Sequence, residues 1–183
     1  MQLEKSVPPV QFMDQVHGDS VCVVDQKSDI DPMCDALITK THGLSLAVMS
    51  ADCIPLLLSS EQVVSAVHVG RAGLINQIAI KVIQQMRDLG AVYIHAQLGP
   101  SICGTCYEVP QNLADEVLIS YPNAFALTQN ATPSLNLSRA LIGDLLANGV
   151  TYEASTICTL ENPDYFSYRR HNITGRNAGV IWL

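Results

Sequence analysis

The segment LSLAVMSADCIPLLL, residues 44–58, determines our prediction of the fold. Its apolar residues follow one another directly, without the alternation typical of a strand that has one face in water. Asp52 and Pro55 interrupt the segment, so we interpret it as two strands, Leu44–Met49 and Ile54–Leu58, each covered on both faces. The same two residues leave the apolar run too short for a membrane span.

Apolar runs and helical periods on either side of this segment extend the pattern. Apolar residues recur every three or four positions from Ile75 to Leu89, and Gly90 follows, so we predict an amphipathic helix there. Further strands are predicted at Val21–Val24, Ala36–Thr39, Val63–His68 and Val92–Leu98, a terminal strand or tail at Val180–Leu183, and shorter helices at Asn112–Ser120 and Ser138–Asn148. This order of elements predicts a mixed α/β or α+β fold, of which we favour α+β, with mixed β-sheets and flanking helices, in a single domain over residues 1–183.

The composition narrows the classes of function. Ten Lys and Arg against seventeen Asp and Glu give a net charge of −7, and no basic run occurs. We therefore expect neither nucleic-acid binding nor a basic membrane-binding patch. Hydrophobic residues make up 48% of the chain and charged residues 15%, which predicts a large core and hints at a homo-oligomer.

The start of the chain and its cysteines indicate the compartment. Met1–Val10 contains Glu4, Lys5 and the Pro8–Pro9 pair but no apolar stretch, so we do not interpret it as a secretion signal. We therefore predict a cytoplasmic protein. A cytoplasmic chain of this size rarely uses disulfides, so we expect most of the cysteines to be buried as small apolar residues, among them Cys22, Cys34 and Cys158.

Cys103-Gly104-Thr105-Cys106 has the C-x-x-C form of redox and metal motifs. The sequence contains no second pair of this kind, and no thioredoxin-like βαβ pattern precedes it. We therefore favour neither a redox site nor a second metal site at these cysteines.

Two histidines and a cysteine form a candidate metal site. Cys53 and His68 are predicted at strand ends, 15 residues apart, which suits a hairpin-like return. His17 lies between a strand and Gly18, which we interpret as a turn residue. Two imidazoles and a thiolate suit zinc with a fourth position open for water, and copper would accept the same donors. Spacing alone leaves the alternative that Cys53 is a buried strand residue and both histidines are ordinary loop residues.

Other polar residues have two interpretations each. Asp52, expected on the opposite strand face from Cys53, is either a structural hydrogen-bond acceptor or a group that acts near the metal as a base or orienting residue. Arg169, Arg170 and Arg176 concentrate positive charge in an acidic chain. They either form ion pairs with nearby carboxylates or bind phosphate, which suits the planar guanidinium.

Five motifs, in their order along the chain, resemble the family of multicopper polyphenol oxidase or laccase-domain proteins. This family includes bacterial peptidoglycan-editing factors and purine nucleoside phosphorylase-type enzymes. The resemblance covers about Gln15 to Leu183. The motifs are Gln15-Val16-His17-Gly18, Ala51-Asp52-Cys53-Ile54-Pro55, the turn at His68, Gly99-Pro100-Ser101-Ile102 with Cys106-Tyr107-Glu108-Val109, and Tyr165–Arg170 with Thr174–Leu183.

The resemblance implies a four-layer α/β/β/α fold and a zinc ion held by His17, Cys53 and His68. It also implies phosphorolysis of purine nucleosides and hydrolytic deamination of adenosine, without a redox cycle. Within it we predict that Cys53, His68 and Asp52 are catalytic. We predict further that Arg71, Arg170 and Arg176 bind a small-molecule substrate, a purine nucleoside with phosphate.

The chain departs from the family pattern in two places. An N-terminal segment with a Thr-Arg-Gly-Gly stretch usually precedes the Gln-Val-His-Gly motif, whereas here His17 comes almost at once. The usual His-Ala-Gly-Trp-Arg-Gly turn is His68-Val69-Gly70-Arg71-Ala72-Gly73, so the Trp is absent and the arginine has moved by one position. The cleft of this chain is therefore expected to differ from that of its relatives.

Two other functions stay open. Cys53 can serve as a nucleophile with His68 as its base, in an amidase that edits peptidoglycan precursors. Alternatively, the chain binds a nucleoside or a partner protein without turnover. A true laccase is disfavoured, because five histidines without a His-x-His pair do not provide ligands for a multicopper cluster.

Overall fold

The computed structural model describes residues 7–183, so part of the Met1–Val10 segment discussed above lies outside the described residues. The strands are β1 (Val10–Gln11), β2 (Val21–Val23), β3 (Ala36–Thr39), β4 (Ser45–Ser50), β5 (Ile54–Ser59), β6 (Val64–Val69), β7 (His95–Leu98), β8 (Phe125–Leu127), β9 (Pro133–Leu135), β10 (Thr151–Ala154) and β11 (Asn177–Trp182). The helices are α1 (Arg71–Ile75), α2 (Ile78–Asp88), α3 (Gln111–Ser120) and α4 (Leu137–Ala147), with a 3₁₀ turn at Pro122–Ala124.

Two mixed sheets form the centre of the fold. The larger has the strand order β10-β7-β5-β6-β3-β2, with parallel pairs at its two edges and antiparallel pairs between them. The smaller has the order β1-β4-β11. The chain passes from the smaller sheet to the larger between β4 and β5, so residues 51–53 connect the two sheets. Strands β8 and β9 form a separate hairpin.

Strand β6 lies between two apolar cores, and every one of its residues is buried. Val64 and Ala66 pack with Leu37 and Leu46 in the core between the sheets. Val67, on the other face, belongs to the core beneath the helices. Because successive side chains of a strand point to opposite faces, burial on both sides requires the uninterrupted apolar run seen in the sequence.

The predicted α+β class with mixed sheets is confirmed, and each predicted strand is present. Of the four layers that the resemblance implied, residues 7–183 form a helix layer, the larger sheet and the smaller sheet. Helix α1 contacts each of the other three helices, and α2 packs on β6, β3 and β2 of the larger sheet. No helix in this part of the chain is both long and apolar enough to cross a membrane.

Some boundaries of the helices and strands differ from those predicted, because the local backbone conformation does not follow the period of apolar residues. Gln77 adopts a left-handed conformation (φ 59°), so the expected helix Ile75–Leu89 is divided into α1 and α2. The expected strand Val92–Leu98 begins only at His95. Strands β1, β8, β9 and β10 were not predicted. They are two to four residues long, and all four residues of β10 are exposed, so none of them carries a clear apolar pattern.

Candidate metal centre

The predicted metal ligands meet at the end of the larger sheet. Cys53 directly precedes β5, and His68 is the last residue but one of β6. These strands pair antiparallel with Pro55 opposite His68, which brings Cys53 alongside the histidine. His17 reaches them from the loop between β1 and β2. The ligand atoms of all three side chains lie within 4.8 Å of one another, and the predicted hairpin-like return is confirmed.

Asp35 positions two of these three ligands. Its Oδ1 lies 2.8 Å from Nδ1 of His68, and its carboxylate also accepts hydrogen bonds from the backbone N–H groups of His17 and Gly18, at 3.0 and 2.7 Å. A carboxylate on Nδ1 favours the tautomer with the proton on that nitrogen and leaves Nε2 to bind a metal. Asp35 is wholly buried, so this contact is shielded from water.

Asp35 was not among the residues predicted from the sequence. The residue directly precedes β3, which pairs with β6 so that Ala36 lies opposite Val67. A charged residue at the start of a fully buried strand is itself a signal, because a buried carboxylate requires partners. The identity of the partner depends on the pairing of β3 with β6, which the sequence alone does not specify.

The three ligands and Asp35 shift the pKa values of Cys53 and His68. Burial by itself would raise the pKa of Cys53, but hydrogen bonds from His17 and His68 outweigh it and lower the pKa from 9.0 to about 7. Burial likewise opposes a charge on His68, whereas its hydrogen bonds with Asp35 and Cys53 raise its pKa to about 9. The lowered pKa of Cys53 favours the thiolate, which is the form of cysteine that binds metals. The raised pKa of His68 favours a proton on Nε2, and a metal ion bound at that nitrogen would take the place of this proton.

Gly70 leaves room for this cluster. A Cβ at this position would lie 3.2 Å from Sγ of Cys53 and 3.7 Å from Nδ1 of His17. Its φ of −91° is open to any residue, so the need for glycine here is one of space. One thiolate, two imidazoles and a glycine facing them fit a zinc ion with three protein ligands and an open fourth position.

A cavity of about 540 Å³ opens over the three ligands. Two exposed arginines, Arg169 and Arg176, contribute positive charge to its wall. The guanidinium carbon of Arg169 lies 5.4 Å from the centre of the Tyr107 ring, and Tyr168 adds a second aromatic ring. The other lining residues are Gln15, Met49, Ser50, Ala51, Asp52 and Ile102. The cavity therefore combines metal-binding donors, cationic groups and aromatic surfaces.

Asp52 lies at the cavity but is engaged on both carboxylate oxygens. Oδ1 accepts a hydrogen bond from Oγ1 of Thr159 at 2.7 Å, and Oδ2 accepts one from the backbone N–H of Arg169 at 2.7 Å. The residue lies in the connection between the sheets with φ 101°, not on a strand as expected. These contacts fasten the C-terminal segment beside Cys53.

The three arginines predicted to bind substrate lie in different places. Only Arg176 lines the cavity. The guanidinium of Arg170 instead donates to the backbone carbonyls of Thr159, Leu160, Asn162 and Tyr165. Arg71 begins α1, outside the lining, with its Nη1 3.7 Å from the carboxylate of Glu116. Arg169, for which the sequence left open either ion pairing or phosphate binding, contributes to the wall.

Comparison with known proteins identifies the family of this chain. A family model described as multi-copper polyphenol oxidoreductase laccase matches residues 1–183. The chain belongs to this laccase family. The resemblance stated from the sequence motifs is therefore confirmed.

Named relatives of this laccase-family chain include bacterial enzymes. A protein of Streptomyces griseus named purine nucleoside phosphorylase is 43% identical over 182 residues, which cover 95% of this chain and 74% of that protein. Proteins of the same name from Corynebacterium glutamicum and Mycobacterium tuberculosis are 41% and 39% identical, each over 95% of this chain and over 74% and 72% of the relative.

Solved structures of similar fold extend the comparison. A Neisseria meningitidis protein of the DUF152 family has a TM-score of 0.85 and 31% identity, over 96% of this chain and 75% of its own. The hypothetical protein YfiH of Bacillus licheniformis has a TM-score of 0.85 and 26% identity, over 98% of this chain and 76% of its own.

The C-x-x-C turn of this laccase-family chain has partners that the sequence did not reveal. Cys158 and Glu161 lie beside Cys103 and Cys106, and the ligand atoms of the four residues are within 4.8 Å of one another. We disfavoured a second metal site because no second pair of cysteines follows in sequence. The structure supplies one distant cysteine and a carboxylate in place of such a pair.

Proposed function

We propose that this chain is a metal-dependent purine nucleoside phosphorylase. The observation that carries the proposal is the cluster of His17, Cys53 and His68 at the floor of a cavity of about 540 Å³ whose wall holds Arg169 and Arg176. Relatives that carry this enzyme name are 39–43% identical over 95% of the chain, which supports the same activity here.

His17, Cys53 and His68 would hold the metal. The mixed set of two nitrogens and one sulfur fits zinc, and the same donors also accept copper. When bound in such a site, zinc polarises substrate oxygens and lowers the pKa of a bound water molecule. Asp35 keeps Nε2 of His68 directed at the metal position through its 2.8 Å contact with Nδ1.

The wall of the cavity would bind the two substrates. Inorganic phosphate is an anion, and Arg176 and Arg169 have further guanidinium N–H groups for its oxygens beside Nη1, which donates to the carbonyls of Thr174 and Gly175 in Arg176 and to that of Glu108 in Arg169. The rings of Tyr107 and Tyr168 offer flat apolar surfaces against which a purine can stack. Arg71 and Arg170 lie outside the cavity. Arg170 would support substrate binding indirectly, by holding the segment that carries Arg169 and Arg176.

In phosphorolysis a phosphate oxygen attacks C1′ of the nucleoside as the bond from C1′ to the purine nitrogen breaks. The purine leaves with the bonding electron pair and takes up a proton, which gives a free base and ribose 1-phosphate. Orientation of the two substrates in one cavity is the principal contribution that the residues of this chain make to such a displacement.

The proposal extends to two further points. Hydrolytic deamination of adenosine, in which water replaces the exocyclic amine and ammonia leaves, is supported by the family resemblance and by the same set of metal donors. A cytoplasmic location is supported by the six cysteines, all of which are free thiols, since a reducing compartment preserves that state.

The test is to incubate the purified chain with inosine and phosphate and to measure hypoxanthine and ribose 1-phosphate, with metal content determined on the same sample. We expect phosphate-dependent turnover and its loss in Cys53→Ala together with the metal. Cys22→Ala, which removes a partly buried thiol of the larger sheet, is the matched control. Full turnover in Cys53→Ala would overturn the proposal.

One geometric observation favours a second candidate. Ring nitrogens of both His17 and His68 lie within 4.8 Å of Sγ of Cys53, close enough for either imidazole to serve as the base of a cysteine nucleophile. An amidase of this kind would lose activity on alkylation of Cys53 in metal-free protein and would release amine from peptidoglycan precursors. The phosphate dependence of nucleoside cleavage separates this candidate from the first.

A further inference from the structure

The second cysteine cluster is built from two segments that are distant in sequence. Cys103 and Cys106 lie in a tight turn, in which the backbone N–H of Cys106 donates to the carbonyl of Cys103 at 3.1 Å and that of Tyr107 donates to the same carbonyl at 3.0 Å. Cys158 and Glu161 follow β10 more than fifty residues later. All four ligand atoms lie within 4.8 Å of one another.

Backbone hydrogen bonds fix Cys158 against this turn. The backbone of Ser101 forms hydrogen bonds with both neighbours of Cys158. Its N–H donates to the carbonyl of Ile157 at 3.4 Å, and its carbonyl accepts from the N–H of Thr159 at 3.1 Å. The N–H of Cys103 in turn donates to Sγ of Cys158 at 3.4 Å. A backbone N–H directed at sulfur stabilises negative charge there, so the turn is prepared for a thiolate.

We propose that Cys103, Cys106, Cys158 and Glu161 form a second, structural metal site that takes a zinc ion. Three thiolates and one carboxylate provide four protein ligands, which is the closed set of a structural zinc site. In a tetrahedral site with zinc–sulfur bonds of about 2.3 Å, neighbouring sulfurs are about 3.8 Å apart. Ligand atoms already within 4.8 Å reach that geometry by small movements. Binding releases thiol protons and involves no electron transfer.

The exposure of the ligands suits entry of an ion from solvent. Cys158 is buried, Cys103 and Cys106 are half-buried, and Glu161 is exposed at the rim. The carboxylate can therefore move over the ion after the thiolates have bound it. Cysteines that serve only as small apolar residues would all be buried, whereas the exposure of these ligands increases from Cys158 to Glu161.

The second site would fasten the wall of the first. Ile102 and Tyr107, which flank the C-x-x-C turn, both line the cavity over Cys53. Thr159, the neighbour of Cys158, donates to Oδ1 of Asp52 at 2.7 Å, and Asp52 adjoins Cys53. An ion that links the two segments would therefore hold both walls in position relative to the first metal site.

The test is to count metal ions per chain by elemental mass spectrometry on protein purified without chelator. We expect two ions in the native chain, one in Cys106→Ser, one in Cys53→Ala, and two in the control Cys22→Ser. Absorption spectra of the cobalt-substituted protein provide an independent measurement. The intense charge-transfer band of a cobalt ion bound by several thiolates should disappear in Cys106→Ser and persist in Cys53→Ala. Since the two sites are counted separately, failure of the nucleoside assay leaves this result intact.

Glu161 provides a second test if Cys106→Ser fails to fold. Glu161→Gln changes an exposed side chain and should lower zinc affinity at this site by at least about tenfold, since even residues behind metal ligands have effects of that size. Glu161→Cys should retain the ion and add a thiolate band in the cobalt form. The same metal content in the native chain and in Cys106→Ser, equal zinc affinity in Glu161→Gln, or a Cys103–Cys106 disulfide in metal-replete protein would each overturn the proposal.

Discussion

Oδ1 of Asp35 lies 2.8 Å from Nδ1 of His68, and the carboxylate of Asp35 also accepts the backbone N–H groups of His17 and Gly18. One wholly buried carboxylate thus fixes the ring of one metal ligand and the main chain of another. Burial would raise the pKa of Asp35, but the hydrogen bonds from His68 and from the backbone N–H groups of Gly18 and His17 together outweigh it and lower that pKa. The acid is therefore ionised while it orients the ligands.

Asp35→Asn should weaken metal binding. The amide has nearly the same shape, but it removes the negative charge that makes His68 a better donor, and its NH2 group would face an N–H group that now donates to the carboxylate, such as that of Gly18. We expect zinc affinity to fall about 10–100-fold. Competition with a chromophoric chelator measures this change. Asp19→Asn is the control, because it removes a carboxylate that pairs with Lys81 at the surface. Equal affinity in the two variants would contradict a role for Asp35.

Arg170→Ala and Arg176→Ala should act on different properties. The guanidinium of Arg170 donates to four backbone carbonyls, so its loss should lower the free energy of unfolding by about 2–4 kcal/mol. Arg176 is exposed on the cavity wall, so its loss should leave stability within about 0.5 kcal/mol and raise the KM for phosphate.

Urea unfolding and steady-state kinetics with varied phosphate measure the two effects. Arg176→Lys, which retains the charge but not the planar pair of donors, should recover only part of the phosphate affinity. A raised KM in Arg170→Ala with unchanged stability would show that the two assignments are exchanged.

Local sequence pattern was sufficient to predict the central strands but not the whole site. Leu44–Met49 and Ile54–Leu58 match β4 and β5 to within one residue, because strands buried on both faces require an uninterrupted apolar run. The helix Ile75–Leu89 was predicted as one element because its period does not reveal the left-handed Gln77. The period of apolar residues indicates which side chains are buried, but it does not show that one residue adopts the left-handed conformation.

Residues that act through partners distant in sequence were the ones missed or misplaced. Asp35 meets His68 only because β3 pairs with β6, and Cys158 meets the C-x-x-C turn only through the backbone of Ser101. Arg170 was predicted to bind substrate from its charge, yet four carbonyls surround it. Donor chemistry and the family motifs both pointed to His17, Cys53 and His68, whereas only the tertiary pairing of strands determines which groups support them.

Gly70→Ala should weaken the first metal site through steric contact alone. The added Cβ would lie 3.2 Å from Sγ of Cys53, which is closer than ordinary contact, and the φ of −91° adds no backbone strain. We expect about a tenfold or larger loss of zinc affinity, because metal sites tolerate only small departures in ligand distance. Gly18→Ala, whose Cβ would lie 3.5 Å from Oδ2 of Asp35, is the matched control with ordinary contacts. Unchanged zinc affinity in Gly70→Ala would show that Cys53 can shift without cost.

Asp144 should make stability depend on pH in a direction opposite to that of most carboxylates. Burial raises the pKa of Asp144 in the folded chain, and its hydrogen bond with the hydroxyl of Tyr121 offsets only part of this effect. A folded-state pKa above the unfolded value favours folding of the protonated form. The contribution of Asp144 to stability is therefore complete below its unfolded pKa of 3.8 and is lost as pH rises through the higher folded value.

Asp144→Asn removes this titration while it retains a hydrogen-bonding partner for Tyr121. The free energy of unfolding of the variant, relative to the native chain, should therefore rise between about pH 4 and pH 7, by urea unfolding at each pH. Asp29→Asn removes the same charge from an exposed position and provides the reference profile. If the Asp144→Asn difference fell with rising pH, the folded-state pKa would lie below the unfolded one, and Tyr121 would be stabilising the ionised carboxylate more than burial opposes it.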